Sequence, residues 1–185
     1  LTFNAAAIKL GVLALVPVAV YPFAKRFTWW PQVFLGLAFN WGALLAWTAH
    51  TGRLEAPAVV LYLAGIAWTL FYDTIYAHQD IEDDALIGVK STARLFAEKT
   101  PDWLRRFLAL TVGLMGIAVI FSALPNASAL AMVFVLAGPW AMGWHMAWQL
   151  RGLDITDPAK CMQLFRVNRD TGMIPLFFFA IALFV

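Results

Sequence analysis

Three long stretches of this 185-residue chain contain no Asp, Glu, Lys or Arg. They run from Phe27 to Gly52, from Ala56 to Tyr72 and from Phe107 to Leu150. Because about 20 apolar residues cross the hydrocarbon core of a bilayer as a helix, the 44 residues of the last stretch must hold two spans. Charged residues make up 13% of the chain, against about 25% in an ordinary soluble domain. These features exclude a water-soluble globule and predict an all-α, polytopic transmembrane helical bundle.

Proline, glycine and charged clusters divide the chain into six predicted transmembrane helices. The predicted spans are Ala5 to Phe23, Pro31 to His50, Pro57 to Gln79, Trp103 to Leu124, Ala127 to Leu150 and Thr171 to Val185. A tight uncharged turn from Ser122 to Ser128, with Pro125 and Asn126, is predicted between the fourth and fifth spans. Two charged segments, roughly Asp84 to Glu98 and Pro158 to Val167, are expected to form short amphipathic helices at the membrane surface.

The basic residues predict which membrane face each loop occupies. If the six helices alternate in direction, 11 of the 13 basic residues lie on one face. They are Lys25, Arg26, Lys90, Arg94, Lys99, Arg105, Arg106, Arg151, Lys160, Arg166 and Arg169. Such asymmetry is typical of the cytoplasmic side of a membrane, or of the matrix side in a mitochondrion. We therefore predict an integral protein of a bacterial or mitochondrial inner membrane, with its active site on the cytoplasmic or matrix face.

Two further composition features exclude other classes of function. The net charge is only +2, which gives no argument for a nucleic-acid partner. The single cysteine, Cys161, excludes an internal disulfide framework and a cysteine-based zinc site. Functional chemistry must therefore be sought in the placement of a few charged side chains.

Five of the 11 acidic residues lie between Asp73 and Asp84. At 100° per residue, Asp80 and Asp84 each fall about 20° from Asp73 if one helix continues through all three, whereas Glu82 points away. Convergent carboxylates at the end of an apolar span repel one another unless a cation compensates. Because Mg²⁺ takes one or two protein carboxylates together with substrate phosphates, this face predicts a site for a metal and a diphosphate.

Nearby residues supply candidate phosphate ligands. Lys90, followed by Ser91 and Thr92, lies in the next loop, and Tyr21 and Lys25 stand at i and i+4 near the end of the first span. His78 is expected to be a hydrogen-bonding residue at a helix end. Two other interpretations of the acidic residues stay open at this point, namely a solvated charged loop and a proton or cation pathway through the membrane.

The segment from Tyr72 to Asp84, with its continuation Ile87-Gly88-Val89-Lys90-Ser91-Thr92, resembles the second aspartate-rich motif of the UbiA superfamily of intramembrane aromatic prenyltransferases. The run Tyr21-Pro22-Phe23-Ala24-Lys25 is similar to the YxxxK element of that superfamily. Stretches from Leu35 to Gly42 and from Asp157 to Arg169 resemble the branch that prenylates 4-hydroxybenzoate in ubiquinone biosynthesis. The resemblance covers nearly the whole chain.

The resemblance implies an enzyme that transfers a polyprenyl group from polyprenyl diphosphate to the ring carbon ortho to the phenol of 4-hydroxybenzoate. It implies Asp80, Asp84 and Asp73 as catalytic carboxylates, with Asp80 and Asp84 as the Mg²⁺ ligands. It also implies that Lys90, Lys25 and Tyr21 bind the diphosphate within the lipid bilayer.

Two kinds of alternative remain beside that implication. One is a related prenyltransferase whose acceptor is homogentisate, a naphthoate, haem or a chlorophyll precursor, because the aspartate motif recognises the diphosphate and not the acceptor. The other is a membrane transporter or ion pathway that uses the intramembrane carboxylates. Diphosphate release that depends on Mg²⁺ would distinguish the enzymes from a transporter.

The superfamily has nine transmembrane helices, and this chain resembles the last six. The sequence carries no counterpart of the first aspartate-rich motif, which has the pattern NDxxDxxxD. The resemblance therefore implies that residues 1–185 form a single UbiA-like transmembrane domain that is incomplete at its N-terminus. We expect the chain alone to be inactive, since it offers only one acidic face.

Overall fold

The computed structural model describes residues 3–123 and 127–185 of the chain, and these residues are almost entirely helical. Ten α-helices lie in the described ranges. They are α1 (Ala5–Leu13), α2 (Leu15–Phe27), α3 (Pro31–Phe39), α4 (Trp41–Thr51), α5 (Ala56–Tyr76), α6 (Ile81–Leu86), α7 (Thr92–Phe96), α8 (Thr100–Ala123), α9 (Ala129–Arg151) and α10 (Pro158–Ala182). A 3₁₀ turn, Ala97–Lys99, joins α7 to α8.

Five helical stretches in the described ranges are long and apolar enough to cross a membrane. They are Ala5–Phe27, Pro31–Thr51, Ala56–Tyr76, Thr92–Ala123 and Ala129–Arg151. The sixth long helix, α10, has 25 residues, with charged residues in its first half and an apolar second half. The prediction of an all-α polytopic bundle is therefore confirmed, with five or six spans.

Two of the spans are interrupted where a residue disturbs the helical hydrogen bonds. α1 gives way to α2 at Ala14, because Pro17 lacks the N–H that would bond to the carbonyl four residues earlier. α3 gives way to α4 at Asn40, whose side-chain amide donates to the Gly36 carbonyl and to the Thr69 hydroxyl of α5, both at 2.9 Å. Since a polar amide in hydrocarbon needs such partners, Asn40 ties the second span to the third.

Hydrogen bonds at the two ends of the bundle show that the first three spans alternate in direction. At one end, which we call the outer end, the Asn4 amide before α1 donates to the Thr48 carbonyl in α4 over 2.8 Å. At the opposite, inner end, the backbone N–H of Lys90 donates to the Lys25 carbonyl over 2.9 Å. Both lysines belong to the predicted basic face, so the inner end is the end that gathers positive charge.

α5 is the central helix, packed against α8, α3 and α10. Its residues Phe71 and Ile75 are completely buried, as are Leu104 of α8 and Met142 and Met146 of α9, all with 0–1% exposure. Burying large apolar side chains contributes about 1.5–3 kcal/mol each in a water-solvated core, but between membrane helices close packing takes over that role. This packing holds the inner end of α5, which carries Asp73, in a fixed position.

The sixth predicted helix begins much earlier than the sequence indicated. α10 runs without a break from Pro158, so the predicted surface helix of Pro158 to Val167 is its first half and Thr171 lies in its middle. The side chain of Asp157 accepts hydrogen bonds from Ala159 N and Lys160 N over 2.9 and 3.1 Å. With this cap and a proline at the first helical position, the chain starts a helix at this point and meets no breaker before Thr171.

Two further predictions differ from the structure, and a third is not tested by it. α2 continues beyond Pro22 to Phe27, four residues past the predicted end of the first span. The single surface helix predicted from Asp84 to Glu98 is two short helices, because Gly88 between them adopts a left-handed conformation with φ of 75°. The predicted turn from Ser122 to Ser128 includes residues 124–126, which lie outside the described residues.

Candidate functional site

Two of the predicted diphosphate ligands meet at the inner end of the bundle. Lys25 lies in the last turn of α2, where its carbonyl accepts the backbone hydrogen bond from Lys90. The ammonium of Lys90 in turn donates to the carbonyl of Phe27 over 3.4 Å. The end of α2 and the loop after α6 are thereby held together, and their two ammonium groups share one side of the molecule.

Asp84 is the buried member of the acidic segment, with 5% of its surface exposed. Its carboxylate Oδ2 lies 3.5 Å from the Lys25 ammonium, and its backbone carbonyl accepts from Val89 N and from the Arg94 guanidinium over 3.0 and 3.1 Å. Within the described part of the chain, that same Oδ2 accepts no hydrogen bond. Because a buried charged oxygen needs partners, the atom is suited to accept a further cation or donor.

Arg94 is a third cation of this cluster, although its sequence position alone does not identify it as a site residue. Its guanidinium donates to the Val89 carbonyl and lies 5.4 Å from the centre of the Trp29 ring. The Lys90 ammonium lies 5.9 Å from the same ring. In the sequence, the spacing of Arg94 four residues after Lys90 is the one signal of this role, because Arg94 otherwise belongs only to the predicted basic face.

Asp73 lies in the last turn of α5, half buried, with its carbonyl bonded to Ala77 N over 2.9 Å. Its carboxylate interacts electrostatically with Lys25, and Tyr21 lies one helical turn before Lys25 on α2. Lys25 therefore interacts with carboxylates from two separate elements, Asp73 on α5 and Asp84 on α6. The structure brings these four predicted residues together.

The predicted face of three carboxylates on one continuous helix is wrong. α5 ends at Tyr76, and Asp80, which is exposed, precedes the first turn of α6. Asp84 N donates to the Asp80 carbonyl over 2.7 Å, so these two remain one helical turn apart while Asp73 sits on another helix. In residues 3–123 and 127–185, no group of three or more His, Cys, Asp or Glu side chains is placed to hold a metal ion.

α5 stops where it does because the chain turns tightly around His78. The N–H groups of His78 and Gln79 bond to the Ile75 and Tyr76 carbonyls, three residues back, over 3.2 and 3.0 Å. The buried His78 ring bonds through Nε2 to the Thr100 hydroxyl over 3.1 Å. Burial lowers the pKa of His78 to about 4, so the ring is neutral at neutral pH. The predicted role of His78 as a hydrogen-bonding residue at a helix end is confirmed.

The other acidic residues of α6 lie on a different side. Glu82 and Asp83 line a cavity of about 460 Å³ together with His78, Glu98 and Thr156. Asp84 is buried beside Lys25 instead. A short helix thus separates its carboxylates into an exposed pair and a buried member, and Glu82 does not join the cluster around Lys25.

The side chains of Ser91 and Thr92, suggested by the sequence as phosphate ligands, are buried and bonded within the protein. Ser91 is buried and caps α7, where its Oγ accepts from Arg94 N over 3.4 Å. Thr92 is also buried, and its hydroxyl is 2.7 Å from that of Thr74. Both side chains position the loop that carries Lys90, so their contact with a phosphate is not supported.

The donor set at this site fits a hard divalent cation. Asp84 offers a buried oxygen that lacks a hydrogen bond among the described residues, and Asp80 stands one turn away on the same short helix. Mg²⁺ retains several waters and takes one or two protein carboxylates, with phosphate oxygens completing its shell. Two carboxylates beside three cations are therefore suited to a metal and a phosphorylated ligand bound together.

Comparisons with known proteins agree on one family. The model of the UbiA prenyltransferase family matches residues 1–184. The chain is 47% identical over 178 residues to a mitochondrial 4-hydroxybenzoate polyprenyltransferase of Bos taurus, covering 94% of this chain and 45% of the relative. Proteins of the same name from Homo sapiens and Arabidopsis thaliana are 44% and 46% identical, over 94% and 89% of the chain and 45% and 39% of the relatives. The chain thus spans less than half the length of these relatives. No solved structure matches it.

Proposed function

This chain belongs to the UbiA prenyltransferase family, and from that premise we propose that it carries part of a 4-hydroxybenzoate polyprenyltransferase. The proposed reaction moves a polyprenyl group from polyprenyl diphosphate to the ring carbon ortho to the phenol, as a step toward ubiquinone. The proposal rests on the names of relatives that are 44–47% identical over nearly the whole chain. The observation that carries it is the buried Asp84 carboxylate beside the Lys25 ammonium.

The proposed roles follow from the positions of the side chains. Asp84 and Asp80 would hold Mg²⁺ through carboxylate oxygens, with Asp73 nearby and linked to them electrostatically by Lys25. The bound cation would neutralise negative charge on the diphosphate oxygens. Lys25 and Lys90 would bind the same diphosphate directly, at the inner end where both ammonium groups lie.

The difficult part of such a transfer is the departure of the diphosphate, since negative charge accumulates on it as its bond to the prenyl carbon breaks. Fixed cations stabilise that charge without having to reorganise. Lys25 is held by its ion pair to Asp84, and Lys90 is held by its bonds to the end of α2. The Tyr21 hydroxyl, one helical turn before Lys25 on α2, would donate to a diphosphate oxygen. Asp80, being exposed, is available to take the phenol proton from the acceptor.

The proposed location is the mitochondrial inner membrane, since the relatives are named as mitochondrial, or the equivalent bacterial inner membrane. The five apolar helical stretches are consistent with an integral membrane protein. The site would face the matrix or cytoplasm, because it lies at the end of the bundle that carries most of the basic residues. The prenyl chain would extend from there between the helices toward the lipid.

A chimaera between this chain and the Bos taurus relative tests the proposal. The segment of the Bos taurus relative that aligns with this chain is replaced by residues 1–184, and membranes of a host lacking its own enzyme are supplied with radiolabelled polyprenyl diphosphate and 4-hydroxybenzoate. We expect Mg²⁺-dependent transfer within about tenfold of the intact bovine protein. Transfer only to homogentisate or a naphthoate would overturn the proposed acceptor. A chimaera that inserts normally yet transfers to none of these acceptors would overturn the proposed activity.

A further inference from the structure

A second cationic region lies at the inner end, between the last turn of α9 and the first turns of α10. We call it the α9–α10 groove, and its lining includes Trp148, Arg151, Lys160 and Gln163. It has a volume of about 460 Å³, and both charged residues in its lining are basic. It is built from helices other than α2, α6 and α7, so it is separate from the cluster around Asp84.

The cations of this groove are not neutralised by the protein. In the described part of the chain neither Arg151 nor Lys160 forms an ion pair. The Lys160 ammonium donates to Gln163 Oε1 over 3.1 Å, which uses one of its three N–H groups. By contrast, Arg169 in the adjoining groove is bonded to Asp170 over 2.8 Å. Within the described residues, Arg151 and Lys160 are thus two unpaired cations in one groove, beside the exposed and unpaired Arg166 of the adjoining groove.

A column of exposed indole rings leads away from this charge along α9. Trp140, Trp144 and Trp148 are spaced four residues apart, so they share one face of the helix, with exposures of 73%, 73% and 52%. The Arg151 guanidinium lies 5.8 Å from the centre of the Trp144 ring. None of the three indole N–H groups donates a hydrogen bond within residues 3–123 and 127–185. On a membrane helix, such outward rings contact lipid.

We propose that the α9–α10 groove binds one anionic phospholipid. The headgroup phosphate lies between Arg151 and Lys160, with Gln163 beside it, and an acyl chain lies along the column of Trp148, Trp144 and Trp140. Charge complementarity supports this occupant, because basic pockets between helices on the cytoplasmic or matrix side attract anionic headgroups. The height of the site agrees as well, since α9 ends and α10 begins at the inner end of the bundle. The site does not depend on the proposed catalytic function.

Titration of the detergent-solubilised 185-residue chain with phosphatidylglycerol or phosphatidylcholine, followed by native mass spectrometry, tests the proposal. We expect phosphatidylglycerol to bind more tightly, and the double variant R151Q/K160Q to weaken its binding about thirty-fold, since each cation near a surface contributes about 1 kcal/mol. The control, R105Q/R169Q, removes the same charge from residues that are already paired, and we expect it to bind as the unaltered chain does. Equal weakening in both variants, or equal affinity for the two lipids, would overturn the proposal.

Two further arms keep the test informative if R151Q/K160Q folds poorly. Inorganic phosphate is added as a competitor. If millimolar phosphate displaced phosphatidylglycerol, the groove would take free phosphate and not a lipid.

In the second arm, phosphatidylglycerol with brominated acyl chains is used to quench tryptophan fluorescence. We expect Trp148→Phe to remove much of this lipid-specific quenching, whereas Trp29→Phe, at another inner-end surface, should leave it. Unchanged quenching in Trp148→Phe would contradict the acyl-chain path.

Discussion

Two polar clusters lie within this bundle, and they differ in whether their hydrogen bonds are complete. The first, which we call the α5–α9–α10 chain, begins where Trp68 Nε1 donates to Asn168 Oδ1 over 3.0 Å. The Asn168 amide donates to Gln149 Oε1, and the Gln149 amide donates to the Thr171 hydroxyl, both over 2.9 Å. His145 Nδ1 lies 2.9 Å from that same hydroxyl. Each of these polar groups has a protein partner, as expected of groups that join helices in hydrocarbon.

The second is the inner-end cluster of Lys25, Asp73, Asp84, Lys90 and Arg94, and it is charged and incomplete. Asp84 Oδ2 is buried without a hydrogen bond, although the backbone N–H and carbonyl of the residue are both bonded. Other buried atoms in the described ranges also lack partners, in Thr48 and Gln79, but those are neutral groups. The difference teaches that a complete network stabilises the fold, whereas an incomplete charged one is where a ligand is expected.

The largest expected effect is complete loss of activity when the 185-residue chain is expressed alone. Its described residues gather no three acidic, His or Cys side chains around a metal, so Mg²⁺ and the diphosphate would be held from one side only. Prenyl transfer to 4-hydroxybenzoate by membranes carrying the chain, compared with the chimaera in the same host, provides the measurement. Turnover equal to that of the chimaera would show that the inner-end cluster suffices by itself.

Lys25→Met in the chimaera should reduce prenyl transfer by about ten- to a hundred-fold. The change removes a cation from the proposed diphosphate site and leaves Asp84 without its ion-pair partner. Steady-state kinetics should show a raised KM for the polyprenyl diphosphate together with a lowered kcat. Arg105→Gln, which removes an exposed cation paired to Asp102, is the matched control and should change neither parameter by more than about twofold. Similar losses in the two variants would mean that overall charge is being measured.

Asn168→Ala should have the opposite profile, with a loss of stability and little loss of activity. It leaves Trp68 Nε1 and Gln149 Oε1 without their partners in the α5–α9–α10 chain, and an unmade buried hydrogen bond costs about 1–3 kcal/mol. Thermal unfolding in detergent should show a lower Tm, while transfer at a permissive temperature falls less than about threefold. A hundred-fold loss of transfer at full occupancy of the folded state would place this chain of hydrogen bonds within the site.

The sequence predicted the parts of the fold that depend on local composition. Long uncharged runs identify the membrane helices, because the bilayer imposes a length and an apolarity that few other structures share. The one-sided distribution of basic residues likewise placed Lys25 and Lys90 at the same end, where the structure joins them. These inferences require no knowledge of which helices touch.

The parts that it did not predict depend on contacts between distant residues. A common face for Asp73, Asp80 and Asp84 requires one regular helix, but α5 ends before His78, whose ring bonds to Thr100. No spacing within the acidic segment reveals a partner 22 residues away. Similarly, the charges in the first half of α10 suggested a surface segment, although the capped helix continues without interruption.

The most direct test of the central claim compares three single variants of the chimaera within the same short acidic segment: Asp84→Asn, Asp80→Asn and Glu82→Gln. Each change keeps the side-chain shape and removes one negative charge, but only Asp84 is buried against Lys25, and Glu82 lines the separate cavity. We expect Asp84→Asn and Asp80→Asn to slow Mg²⁺-dependent transfer by at least about a hundred-fold, since lost metal and charge stabilisation amount to several kcal/mol. Glu82→Gln should stay within about tenfold of the unaltered chimaera. Equal losses at Glu82 and Asp84, with all variants folded, would contradict the assignment of the site.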